Sequence, residues 1–214
     1  MNKVKVKYCG LKTPEDIESA KQAQVDAVGF VFVEKSPRYI APEKASELSI
    51  TAKLAGIKVV ALFADHEAEF VQHIIKEVKP DILQFHGSET AAFCEQFEQV
   101  YWKAIPMLEV TDYQSYMDQY PKAQAFLLDA FGKKQSGGSG QPFKWFQFST
   151  EVKQKMILAG GIHSGNVVTA VAATGTQFID TSSGIESVPG VKSKSKMLAL
   201  MEKINAINLS QNNN

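Results

Sequence analysis

Residues 4–33 read VKVKYCGLKTPEDIESAKQAQVDAVGFVFV, and this stretch decides the fold class. It opens and closes on short runs rich in Val and Phe, 4–8 and 27–33, with an amphipathic segment between them. The second run has no polar alternation, as expected of a strand covered on both faces. The middle segment begins Thr13-Pro14-Glu15-Asp16. That is an N-cap, a proline at the first helical position, and acids where the helix dipole favours them. Strand, helix, strand implies parallel pairing through a right-handed crossover.

The unit recurs along the chain. Further strands are expected at 58–63, 82–85, 100–105, 125–129, 156–159 and 177–180. Helices are expected to open at Pro42-Glu43, Asp65-His66-Glu67, Ser88-Glu89, Thr111-Asp112, Ser164-Gly165-Asn166 and Ser193-Lys194. Eight such units in 214 residues average about 27 residues each. That spacing suits a closed, single-domain (β/α)8 TIM barrel over 1–207 better than an open doubly wound sheet. The sixth unit is the odd one. Residues 130–143, AFGKKQSGGSGQPF, read as a long loop and leave only 144–148 for a helix. The chain beyond is too short for a second α/β domain, so the segment is read as a functional loop, not a linker. The tail, 208–214, is expected to fray.

Composition narrows the function classes. Hydrophobic residues make up 44% and charged residues 21%, and 23 Lys+Arg offset 23 Asp+Glu. No whole-chain basic field exists to gather nucleic acid or anionic lipid. The apolar runs are too short to span a bilayer, and MNKVKVKYCG lacks the apolar core of a signal peptide. A cytoplasmic monomer acting on a small molecule is the expectation. Cys9 and Cys94 form no CxxC pair, so neither a disulfide framework nor a structural zinc site is indicated. No GxxxxGK[ST] and no metal-ligand spacing occur, so no cofactor or metal is expected.

In such a barrel, active sites assemble at the carboxyl ends of the strands. Those ends carry Cys9 (strand one), Arg38 (the loop after strand two), His86 (strand four), Asp129 (strand six), Gly160-Gly161 (strand seven) and Ser182-Ser183-Gly184 (strand eight). Small residues on the neighbouring seventh and eighth strands suit a phosphate, since bare backbone amides and a following helix start can approach an anion closely. Each residue also has a plain structural reading. Cys9 could be a buried small hydrophobe, Asp129 a cap, Arg38 a solvated charge and His86 a satisfied structural histidine. His66 and His73 read as surface positions on a helix.

Together these segments are similar to one family. Lys7-Tyr8-Cys9-Gly10-Leu11, Gly29-Phe30-Val31-Phe32, Lys35-Ser36-Pro37-Arg38-Tyr39, Leu83-Gln84-Phe85-His86-Gly87, Leu127-Leu128-Asp129, Gly138-Ser139-Gly140, Leu158-Ala159-Gly160-Gly161 and Asp180-Thr181-Ser182-Ser183-Gly184-Ile185-Glu186 occur in the order found in phosphoribosylanthranilate isomerases. Tyr8, Lys12 and Glu34 depart from residues more usual there. The resemblance implies an Amadori rearrangement of N-(5-phosphoribosyl)anthranilate to 1-(2-carboxyphenylamino)-1-deoxyribulose 5-phosphate in tryptophan biosynthesis, without a cofactor. It further implies Asp129 as general acid, Cys9 as general base and Arg38 on the anthranilate carboxylate. Gly160, Gly161, Ser182, Ser183 and Gly184 would hold the phosphate. The alternatives are another phosphosugar isomerase or epimerase barrel, or an inactive barrel kept as a binding scaffold. The former lack Cys9 with Lys35-Ser36-Pro37-Arg38, and the latter would be expected to lose Cys9 or Asp129.

The implied roles set an electrostatic demand. At pH 7 a reference cysteine is about 3% thiolate and a reference aspartate about 0.1% protonated, so independent groups are jointly poised in about 1 of 30,000 molecules. The site is therefore expected to lower the Cys9 pKa, raise that of Asp129, or both.

Overall fold

The computed structural model describes residues 3–107, 109–129 and 155–212. Eight parallel strands close into a barrel: β1 (Lys5–Cys9), β2 (Ala27–Val31), β3 (Lys58–Phe63), β4 (Ile82–Phe85), β5 (Tyr101–Pro106), β6 (Ala125–Asp129), β7 (Met156–Leu158) and β8 (Phe178–Thr181). β8 returns to β1, with Lys7 in register with Asp180. The helices are α1 (Pro14–Ala23), α2 (Pro42–Leu54), α3 (Ala68–Val78), α4 (Ala91–Glu95), α5 (Tyr113–Asp118), α6 (Val167–Thr174) and α7 (Lys194–Asn212). The expected (β/α)8 barrel is the fold. The long sixth loop, the helix remnant at 144–148 and Gly138-Ser139-Gly140 lie outside the described residues.

Strand periodicity sorts the core into two layers. Val6, Tyr8, Phe30, Phe32, Phe63 and Phe85 point outward and pack under the helices. Ala27, Val60, Trp102, Leu127 and Ile157 fill the lumen towards the amino end. Above them the lumen turns polar, with Lys7, Gln84 and Asp180 buried. This layering puts a packed floor beneath a polar carboxyl end.

Local rules hold where they are strong. Thr13 caps α1 in a reciprocal box with Asp16, as Thr13-Pro14-Glu15-Asp16 predicts. β2 leaves the sheet at Val31, two residues before the expected end, because the following loop folds back and Ile40 N–H donates to Val31 O. α3 starts later than expected: Glu67 is its N-cap, and Asp65 stands at φ +54° with its carboxylate accepting from Ser88 N–H. Between β8 and α7 the sequence reading missed a 3-10 turn (Ser183–Ile185) and an antiparallel pair, β9 (Glu186–Val188) and β10 (Val191–Lys192). The expected frayed tail is corrected at its first residue. Asn208 lies in α7; its Oδ1 accepts from Val4 N–H and its Nδ2 donates to Val4 O.

Candidate active site

A cleft of about 1630 Å³ opens at the carboxyl end of the barrel. Cys9, Arg38, His86, Asp129, Gly160, Gly161, Ser182 and Ser183 all line it, so six strand ends contribute to one space. Gly184 does not line it. A Cβ there would stand 1.8 Å from Ile162 O, so this glycine serves close contact between the loops after β7 and β8. Among the described residues no group of three His, Cys, Asp or Glu side chains is placed to hold a metal ion.

Asp129 ends β6 and is buried, with His86 Nε2 at 3.3 Å from its Oδ2. Gln84 Nε2, the amide donor two residues back on β4, lies 3.1 Å from His86 Nδ1. With Gln84 donating to Nδ1, the Nε2 edge of the ring is turned to the aspartate. His86 lies on the cleft wall beside Asp129.

Arg38 crosses the end of β1. Gly10, at φ +76°, makes room, since a Cβ on it would come within 2.9 Å of Arg38 Cδ. The guanidinium is already gripped: Nε donates to Glu186 Oε1 and Nη2 to Glu186 Oε2, both at 2.8 Å. Lys192 Nζ adds a third contact, 2.7 Å to Oε1. Burial works against the Glu186 charge, yet Arg38 and Lys192 hold its carboxyl below the ordinary glutamate range.

The glycine turn after β7 is fastened by Asn166, whose Nδ2 donates to Gly161 O while its Oδ1 accepts from His163 N–H. Gly160 and Gly161 both adopt positive φ, 78° and 67°, a conformation that bulkier residues resist. Ser182 brings an amide and a hydroxyl to the end of β8. The hydroxyl donates to Cys9 O, tying β8 to β1, and accepts from Lys192 Nζ. Its amide, not its hydroxyl, is the group left for an anion.

Cys9 is the last residue of β1, 5% exposed. Burial pushes the Cys9 thiol up, and the Lys7 charge only partly offsets this. Lys7, Lys192, Glu186 and Gln84 were not singled out by sequence. One signal was available for Lys7: it stands two residues before Cys9, so strand alternation puts both on the lumen face. His66 is likewise not a surface residue of a helix. It precedes α3, with Nδ1 accepting from Ala64 N–H and Nε2 donating to Phe32 O.

This constellation can be set against known proteins. The family described as N-(5′-phosphoribosyl)anthranilate (PRA) isomerase matches residues 6–203. The chain belongs to that family. An N-(5′-phosphoribosyl)anthranilate isomerase of Neisseria meningitidis serogroup A is 39% identical over 208 residues, covering 97% of this chain and 99% of its own. Its counterpart in Xanthomonas oryzae pv. oryzae (strain PXO99A) is 38% identical over 209 residues, covering 94% and 93%. Among solved structures, the Thermotoga maritima phosphoribosyl anthranilate isomerase superposes with a TM-score of 0.80 at 28% identity, covering 95% of this chain and 99% of its own. A phosphoribosyl anthranilate isomerase in complex with reduced 1-(o-carboxyphenylamino)-1-deoxyribulose 5-phosphate gives a TM-score of 0.78 at 27% identity, with the same coverage. The family's barrel and this chain's cleft therefore come from the same architecture. No helix of the described residues is long and apolar enough to cross a membrane.

Proposed function

We infer that this chain converts N-(5′-phosphoribosyl)anthranilate to 1-(2-carboxyphenylamino)-1-deoxyribulose 5-phosphate, with Asp129 as general acid and Cys9 as general base. The observation that carries the assignment of roles is that both residues end barrel strands, β6 and β1, and line the same cleft. The Asp129 carboxyl gives its proton to the furanose ring oxygen. The C1′–O bond breaks and the anthranilate nitrogen lone pair forms an iminium. The Cys9 thiolate then takes the C2′ proton, and the electrons of that C–H bond move to the iminium. The resulting enolamine tautomerises to the aminoketone. The substrate nitrogen is its own electron sink.

Binding groups surround the reacting carbons. The Gly160-Gly161 turn and the amides at Ser182 and Ser183, on adjacent strands, suit the phosphate. Arg38 suits the anthranilate carboxylate as a charge-assisted donor, and His86 supports Asp129 from the other side. This reading makes the chain a cytoplasmic monomer. Among the described residues, the exposed large apolar side chains are spread over α2, Val100 before β5, α6, the β9–β10 pair and α7. Sedimentation should give a single species of 23.5 kDa.

The test is the loss of fluorescence of freshly prepared phosphoribosylanthranilate. Wild type should convert it, and Cys9→Ala should lower kcat by about 10² or more while folding normally. Near-normal turnover in the folded variant removes Cys9 from the chemistry.

A further inference from the structure

Lys7 is fully buried in the lumen, 2.9 Å from Asp180 Oδ1 on β8. An ion pair in that position is costly, since apolar filling usually serves stability as well or better. Its surroundings suggest what the charge is for. On the other side of β1, Gly29 of β2 is in register with Cys9. A Cβ on Gly29 would stand 3.0 Å from Cys9 Sγ and 3.0 Å from Lys7 Nζ. Sulfur and ammonium therefore face one gap, within twice that distance of each other, and a side chain at position 29 would fill it.

We propose that Lys7 is a positioning residue for the base: its ammonium, reaching the Cys9 sulfur through the gap that Gly29 leaves, stabilises the thiolate that takes the C2′ proton. This rests on the assignment of Cys9 as base. An ammonium has three donors, so the bond to Asp180 leaves others for the sulfur.

Other charges face Cys9 from neighbouring elements, and none is as well placed. Asp180 on β8 opposes the thiolate and is itself engaged by Lys7. Lys192 on β10 is held by Glu186 and by Ser182. Arg38, from the loop after β2, is committed to both oxygens of Glu186. Burial drives the thiol upward, and Lys7 is the strongest influence in the other direction. Asp180 in turn keeps the lysine charged and fixed, so the pair presents an oriented cation to the buried sulfur.

The test uses the full chain carrying Cys94→Ala, which leaves Cys9 as its one thiol; Cys94 is buried on α4, away from the cleft. The pH dependence of iodoacetamide alkylation and of kcat is measured with and without Lys7→Met. The alkylation midpoint should rise by about one pH unit or more, and the ascending limb of the kcat profile should move with it. At neutral pH turnover should fall about tenfold or more, with recovery as pH rises. A purely structural lysine would lower activity at every pH and leave the midpoint in place, and that result overturns the proposal. Lys7→Met leaves Asp180 buried without its partner, so Lys7→Met/Asp180→Asn supplies a second comparison. There a smaller upward shift is expected, because the opposing charge has gone too, and no shift again overturns the proposal. Cys9→Ala in the same background separates the two claims. Full turnover in that variant removes the base assignment, while the thiol midpoint alone still decides whether Lys7 acts on the sulfur.

Discussion

Glu186 grips the Arg38 guanidinium with both carboxylate oxygens, each contact 2.8 Å long, across 148 residues of sequence. The two-pronged geometry fixes the plane of the guanidinium, which one point contact would leave free to turn. Nη1 takes no part in the grip, so Arg38 can face a carboxylate ligand while its orientation is held from behind.

The first prediction follows from the protonation of Glu186. Its carboxyl is held below the ordinary range, so it contributes stability that is fully present above the unfolded value of about 4.3 and is lost as pH falls through the lower folded value. Glu186→Gln should destabilise the chain at pH 7 by about 3 kcal/mol, since Arg38 and Lys192 lose a buried counter-charge. Below pH 4 the gap between variant and wild type should narrow. Urea unfolding at several pH values measures both, and a pH-independent gap would count against the ion pair as its cause.

Arg38→Lys keeps the charge and loses the fork. The lysine cannot reproduce both contacts to Glu186, so its head group is no longer aligned with the cleft. Affinity for a carboxylated product analogue should fall about tenfold, while a phosphosugar lacking the aryl acid should bind nearly as before. Equal losses for both ligands in calorimetry would mean that Arg38 only props the loop.

Asp129 and His86 should separate in kinetics. Asp129→Asn removes the transferable proton and should lower kcat by about 10² to 10⁴. His86→Gln keeps a donor near Asp129 but loses the ring, so its effect should be smaller and appear in both kcat and KM. A His86 variant as damaged in kcat as Asp129→Asn would make the histidine the acid and the aspartate its support.

How much of this was legible in the sequence depended on the kind of signal. Most of the strands showed as apolar runs with little polar alternation, because a parallel strand in a barrel is buried on both faces. Cys9, Asp129, Gly160 and Gly161 were legible as strand-end residues, and the structure brings them to one cleft. Lys7 was not, because a lysine among valines reads as the wet side of an edge strand until barrel closure buries that side. Glu186 and Lys192 sit on strands of three and two residues, too short for any period to show. Ser182 was read for its backbone amide at a strand end; the bond of its hydroxyl to Cys9 O was not visible, since that partner is far off in sequence. Asn208 looked like the start of a polar tail, and its two contacts with Val4 exist only because α7 returns to the first strand.

The last prediction concerns the glycine that left the cleft wall. Gly184 packs against the loop after β7 so tightly that an added methyl would overlap Ile162 O. Thr181 Oγ1 donates to that same oxygen at 2.7 Å, so the carbonyl cannot simply swing aside. Gly184→Ala must therefore push the two loops apart, and these loops carry Gly160-Gly161 and Ser182-Ser183. Overpacking of this kind costs about 1–3 kcal/mol of stability. The sharper consequence is on binding: amides that converge on one anion lose it when their spacing changes. Inorganic phosphate or a phosphosugar should bind at least tenfold more weakly to the variant, and anthranilate alone should be unaffected. Competition against product formation measures both. If phosphate affinity is kept while stability falls, the contact between the loops is structural only and the anion is held elsewhere.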